Sequence, residues 1–212
     1  MKAMGKKVTH SKMMKALDWS YEMAVNGGPG LDTAEELANS YIQNNKSSIE
    51  QVNSLIRWQN TKSGTSGFLT GLGGIILLPV ALPVNITSVI FIQIRMIAAI
   101  AIIGGYNIRD DQVKSLVYLC LAGNGAKDIA KSAGIVFGVK LSESAIKSIS
   151  GKTLVAINQK VGFRLVTKFG EKGVVNLGKM IPLAGGIIGC AFDSITTNTI
   201  GNIARNTFIE GQ

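Results

Sequence analysis

The chain has 212 residues, enough to bury a sizeable core, and 46% of them are hydrophobic while only 17% are charged, below the usual quarter or so. Wholesale disorder is excluded on that ground, and two cysteines with one histidine exclude a disulfide framework and a Cys/His metal site. A net charge of +9 on so apolar a chain points to an anionic partner or surface.

The first 15 residues carry Lys2, Lys6, Lys7, Lys12 and Lys15 without an apolar h-region. No cleavable signal is expected, and the protein is placed in the cytoplasm. Residues 11 to 25 set Ala16, Leu17, Tyr21, Ala24 and Val25 near helical spacing, and Asn26-Gly27-Gly28-Pro29-Gly30 stops that helix. Asp32-Thr33-Ala34-Glu35 caps a second helix, and Ser48-Ile49-Glu50-Gln51 resembles a capping box for a third that ends near Lys62. Residues 1–62 thus read as an N-terminal helical part.

Residues 63–108 hold Arg95 as their one charge. Pro79 and Pro83 divide them into an arm from Gly64 to Leu78, a bend, and a second arm from Asn85 to Ile103, which describes a hydrophobic helical hairpin. The first arm reaches only about 22 Å, short of a bilayer's hydrocarbon core. The second is long enough but has Gln93 and Arg95 near its middle, and a central Arg is costly in lipid. These lengths favour a re-entrant or shallow hairpin over two clean spans; the other reading is a hairpin wholly buried in a helical domain.

Residues 109–212 read as a basic helical part closing on a second apolar helix, 180–201. Residues 127–179 carry ten Lys or Arg against Asp128, Glu143 and Glu171. Lys160, Arg164, Lys168 and Lys172 recur every four residues with Phe163 and Phe169 between them. On a continuous helix they make a basic stripe suited to lipid headgroups or phosphate, whereas Gly162, Gly170 and Gly173 are places where that helix could break. The stripe lies between two uncharged stretches, which favours an anionic membrane over nucleic acid, for which no recognition motif is present.

Small residues mark helix packing. Gly64, Gly67, Gly71 and Gly74 leave one face of the first arm nearly bare, and Gly185, Gly189, Asp193, Thr197 and Gly201 form an i, i+4 row. Asp193 is the one charge of the second apolar helix and Arg95 that of the hairpin, so a buried Arg95–Asp193 pair is expected; the alternative is that each reaches solvent or backbone separately. Ser150-Gly151-Lys152-Thr153 matches the tail of a phosphate-binding loop, but Ile146 stands where its first glycine is required. His10 falls in a basic N-terminus read as frayed, Asp110-Asp111 read as a helix cap, and Cys120 and Cys190 sit in apolar settings that make inert core thiols. No catalytic residue, metal site or cofactor is expected.

Several of these segments resemble the bacterial EcsC family: Leu55-Ile56-Arg57-Trp58-Gln59, the glycine run from Gly64 to Gly74 with Leu78-Pro79-Val80, Gln93-Ile94-Arg95-Met96-Ile97-Ala98, Gly162 through Gly173, and Asp193 through Asn202. The resemblance covers about residues 14–209 as one integrated domain. That family is named from an ABC-transporter operon, yet no segment resembles a transporter ATPase or permease. Residues 79–106 are also similar to hydrophobic hairpin domains of membrane-acting GTPases, without the GTPase part.

Together these readings describe an all-α multi-helix bundle around a glycine-rich hairpin, non-enzymatic, in the cytoplasm at the inner membrane. Its expected partner is an anionic membrane surface or a membrane protein; its oligomeric state is not legible. The alternative is a pore-forming or membrane-perturbing effector that conceals its hairpin until triggered.

Overall fold

The computed structural model describes residues 8–28, 31–63, 82, 84–169 and 187–210, without the side chains of 61–63, 84, 85 and 187–195. Gly64, Gly67, Gly71, Gly74, Lys172 and Gly185 lie outside the described residues, as do the first hairpin arm and the side chain of Asp193. Among the described residues the fold is all-α, with nine helices and no strand.

Local hydrogen bonding sets the helix starts. Helix α1 (His10–Asn26) begins at Thr9, whose hydroxyl accepts from the Lys12 N–H, and ends at Gly27, whose φ of +77° suits a residue without Cβ. Helix α2 (Ala34–Asn39) opens with a reciprocal cap in which the Glu36 N–H donates to the Thr33 hydroxyl at 3.0 Å and the Thr33 N–H donates to the Glu36 carboxylate at 2.7 Å. The hydrogen bonds to Thr33 hold the exposed Glu36 carboxyl below its ordinary range. Helix α3 (Ser48–Ser63) is capped the same way by Ser47 and Glu50. Each cap sits one residue away from the reading made on sequence. Asp32-Thr33 and Ser47-Ser48 offer two candidates apiece, and the winner is the hydroxyl with a glutamate three positions on.

Helix α4 (Val84–Ile103) is the second hairpin arm. Every residue from Ile90 to Ala101 is buried, on all sides of the helix, as expected of a helix with no polar face. Helices α1, α2, α3, α5 (Asp111–Leu121) and α9 (Ile187–Phe208) enclose it. The stretch Ile86–Ile103 is long and apolar enough to cross a membrane, and 78% of it is buried inside this protein.

Helices α3 and α9 pack antiparallel. Arg205 donates to Asn53 at 2.6 Å, Asn60 donates to Asn198 at 3.1 Å, and Gly201 lies against Ile56. A Cβ on Gly201 would stand 2.8 Å from Cγ1 of Ile56, so this contact depends on the missing side chain. Alongside α4, α9 runs in the same direction: Gln93 donates to the Thr197 hydroxyl at 3.3 Å, and one end of the pair is fixed where Gly104 meets the Phe208 carbonyl. Both Gln93 and Thr197 are buried, so the bond satisfies two polar groups that water does not reach.

The remaining helices, α6 (Ala126–Ser132), α7 (Glu143–Lys147) and α8 (Gly151–Phe169), flank α5. Tyr118 of α5 donates to Asp18 at 3.0 Å, and Tyr21 of α1 donates to the Ile108 carbonyl at 2.6 Å, the two rings meeting edge to face. Burial raises both phenols above the ordinary tyrosine range, and the nearby carboxylates push them further.

Candidate anion-binding face and cleft

Helix α8 is unbroken through Gly162. Its buried stripe is Leu154, Ile157, Val161 and Leu165, spaced at three and four residues, and this stripe docks on α1, α5 and α6. The exposed surface carries Lys152 and Lys160 with two exposed apolar side chains, Val155 at 57% and Phe163 at 61%, while Arg164 leaves the helix at the edge of the docked stripe. Lys160, Arg164 and Lys168 follow one another a turn apart, about 6 Å per step. They share one side of α8, whereas Lys172 falls outside the described residues.

Gly162 does not interrupt the helix because it is a contact point. A Cβ there would stand 2.7 Å from both His10 Nε2 and Met14 Sδ. His10 is therefore ordered, contrary to the frayed N-terminus read from sequence: it stacks on Phe163 with ring centroids 4.2 Å apart, and its Nε2 lies 3.1 Å from the Gln159 carbonyl oxygen. Partnerless basic surroundings in sequence concealed a tertiary aromatic contact.

The three cations do different things. The Lys160 ammonium donates to the Ser132 hydroxyl at 2.6 Å, on the outside of α6. Arg164 instead turns toward the turn Gly123-Asn124-Gly125, its guanidinium resting over Gly125. Lys168 holds its ammonium 5.1 Å from the centroid of the Phe169 ring. Arg164 and Lys168 both line a cleft of about 390 Å³, whose other walls include Gly123, Asn124, Thr196 and Thr199. Among the described residues no acidic side chain lines it.

Sequence periodicity located the cations but missed the cleft. Asn124 lies in a three-residue turn and Thr196 and Thr199 on α9, 32 and 35 residues beyond Arg164, and no spacing rule joins such segments.

Arg95 has a different environment from the stripe. It is 5% exposed, donates from Nη1 to the Asp32 carbonyl oxygen at 3.2 Å, and lies 5.5 Å from the centroid of the Phe91 ring. Burial pulls its pKa below the ordinary arginine value, opposed by the charge of Asp32 and by Tyr41. The expected partner, Asp193, belongs to α9 with its side chain outside the described residues. Cys120 is fully buried, and that burial pushes its thiol up, away from the reactive thiolate. Among the described residues no cluster of three or more His, Cys, Asp or Glu is placed to hold a metal.

Among the described residues the fold and site define an all-α protein in which a basic surface helix walls a cleft while the long apolar helix α4 is enclosed. A family model described as the EcsC protein family matches residues 1–209, and the chain belongs to that family. No curated protein and no solved structure matches it.

Proposed function

We propose that this EcsC family protein is a non-enzymatic peripheral membrane protein that binds anionic headgroups through the exposed face of α8. The supporting observation is the composition of that face: Lys152 and Lys160 share it with exposed Phe163 on a helix whose other side is docked, and Arg164 stands exposed at its edge. Basic side chains gain from the negative surface potential of an anionic leaflet, about 1 kcal/mol each near the surface. Exposed apolar groups then bury shallowly at the headgroup boundary.

The enclosure of α4 favours surface binding over insertion of the hairpin. Ile90, Phe91, Ile92, Ile94, Met96, Ile97 and Ile100 are each at most 2% exposed. A lipid phase would keep these side chains away from water, but their withdrawal would strip cover from the apolar faces of α1, α2, α3 and α9. At roughly 1.5–3 kcal/mol per large apolar side chain, uncovering a similar number of partners costs as much as the 5–15 kcal/mol that holds a typical domain folded.

Charge reversal tests the proposal. Lys160→Glu with Arg164→Glu is expected to abolish cosedimentation with phosphatidylglycerol-containing vesicles while leaving helicity unchanged. Undiminished binding by a folded double variant would overturn it. Release of an entrapped dye by the unaltered protein would favour a membrane-perturbing effector instead.

A further inference from the structure

A second groove opens where the end of α6, the connection 133–142, α7 and the first turn of α8 come together. Its volume is about 350 Å³, and its lining residues fall between 133 and 153, inside the unbroken described stretch 84–169. Ile135, Val136, Leu141 and Ile149 make its apolar side, and Ser150 and Thr153 stand at the α8 end. The walls are held from behind. The Lys160 ammonium, bonded to the Ser132 hydroxyl at 2.6 Å, ties α8 to the end of α6, and the Tyr106 hydroxyl donates to the Leu141 carbonyl at 2.7 Å. A groove already formed binds without the cost of ordering its walls. Val136, 65% exposed, is an apolar side chain that the fold leaves in water at the lip. Of the two hydroxyl hydrogens at the polar end, one is spent on the 3.0 Å bond between Ser150 and Thr153, which leaves the other to donate outward.

We propose that this groove binds a free medium-chain fatty acid, its chain against Ile135, Val136, Leu141 and Ile149 and its carboxylate toward Ser150 and Thr153. Charge selects an anion. Each of the four segments that form the groove carries an exposed lysine within two residues of its lining: Lys131, Lys140, Lys147 and Lys152. Residues 131–153 hold one acid against these four, Glu143, which pairs with Lys147 at 2.6 Å. The surplus of cations sets a positive potential around the mouth that draws a carboxylate. Size selects a single chain. A volume of about 350 Å³ sits near the lower end of small-molecule sites and leaves no room for a two-chain lipid or a folded partner. Neither Phe163 nor Arg164 lines the groove, so the inference does not rest on the membrane reading.

Isothermal titration of the full chain, without vesicles, with decanoate, decanol and decyltrimethylammonium tests it, each kept below its micelle concentration and solubility limit. The variants are Val136→Glu, which sets a like charge at the lip, Ala145→Phe, which fills the groove from α7, and Lys131→Ala with Lys152→Ala. All four positions are exposed, so circular dichroism should show the helicity of the unaltered protein in each variant. The expected result is saturable binding of decanoate, weakened about tenfold or more by Val136→Glu and by Ala145→Phe. The double lysine variant should weaken decanoate while leaving decanol unchanged. Decanol should bind the unaltered protein less tightly than decanoate, and decyltrimethylammonium should not saturate. No saturable decanoate binding, equal affinity for the alcohol or the cation, or indifference to Val136→Glu or Ala145→Phe would overturn the proposal. With no vesicle present, this result and that of charge reversal on α8 are read separately, and the failure of one leaves the other standing.

Discussion

The contact of Gly201 with Ile56 holds α9 to α3 over the buried helix α4, and it yields a quantitative prediction. A Cβ at Gly201 would meet Cγ1, Cγ2 and Cδ1 of Ile56 at 2.8, 3.0 and 3.2 Å. Ile56 is 4% exposed and has little room to turn away. Overpacking of this kind costs about 1–3 kcal/mol, and replacing a helical glycine by alanine returns about 1 kcal/mol of helix propensity. Gly201→Ala should therefore lose about 1 kcal/mol net, a fall in Tm of about 2–4 °C for a chain of this length. Gly201→Val, with two more methyl groups and poorer helix propensity, should lose about 3 kcal/mol or more. Ile56→Ala alone opens a cavity and costs about 2–5 kcal/mol. In the Gly201→Ala background it should cost less by about 1 kcal/mol or more, since the new methyl group takes up part of the vacated space. Urea unfolding followed by circular dichroism across the four proteins of this cycle measures the coupling. Additivity within about 0.5 kcal/mol would refute the close packing of α3 on α9.

Other expectations follow from the buried polar groups. Arg95→Ala should destabilise by about 2–5 kcal/mol, the cost of emptying a large buried site, while Asp32→Ala changes little, because Arg95 bonds to the Asp32 carbonyl and the Asp32 side chain is exposed; equal losses in urea unfolding would contradict that geometry. Tyr21 and Tyr118 have folded pKa values raised above the unfolded value of about 10, so their contribution is complete below that pH and declines as pH rises past it. Tyr118→Phe should flatten the loss of Tm between pH 9 and 11, about the range where unfolded tyrosine ionises, and an unchanged slope would show that Tyr118 is not the buried phenol responsible. Cys120 should resist iodoacetamide in the native state and react on unfolding; rapid native labelling, mapped by peptide mass, would show that its burial is wrong.

What was legible from sequence follows from how far each signal reaches along the chain. The second hairpin arm, expected at Asn85 to Ile103, is α4 at Val84–Ile103, because an apolar run bounded by Pro83 and Gly104 carries its own limits. The repeat of Lys160, Arg164 and Lys168 marked a helix face for the same reason. The surroundings of these elements were not legible. Whether α4 meets lipid or protein depends on the apolar stripes of α1, α2, α3 and α9, and a stripe does not name its partner. The cleft likewise needs Asn124 from a turn and Thr199 from α9 beside Arg164, a juxtaposition produced by packing. His10 was misread because its stabilising contact, the Phe163 ring, lies 153 positions away in the chain.

The most direct test of surface attachment is flotation of the full chain, without detergent, on vesicles with and without phosphatidylglycerol at low and high salt. Exposed charges are screened beyond about 10 Å at 0.1 M salt and about 3 Å at 1 M. Binding through the α8 face with α4 enclosed should give flotation only with the anionic lipid and release at high salt. Flotation that survives high salt would contradict the enclosure of α4, and failure to float on anionic vesicles at low salt would contradict membrane attachment.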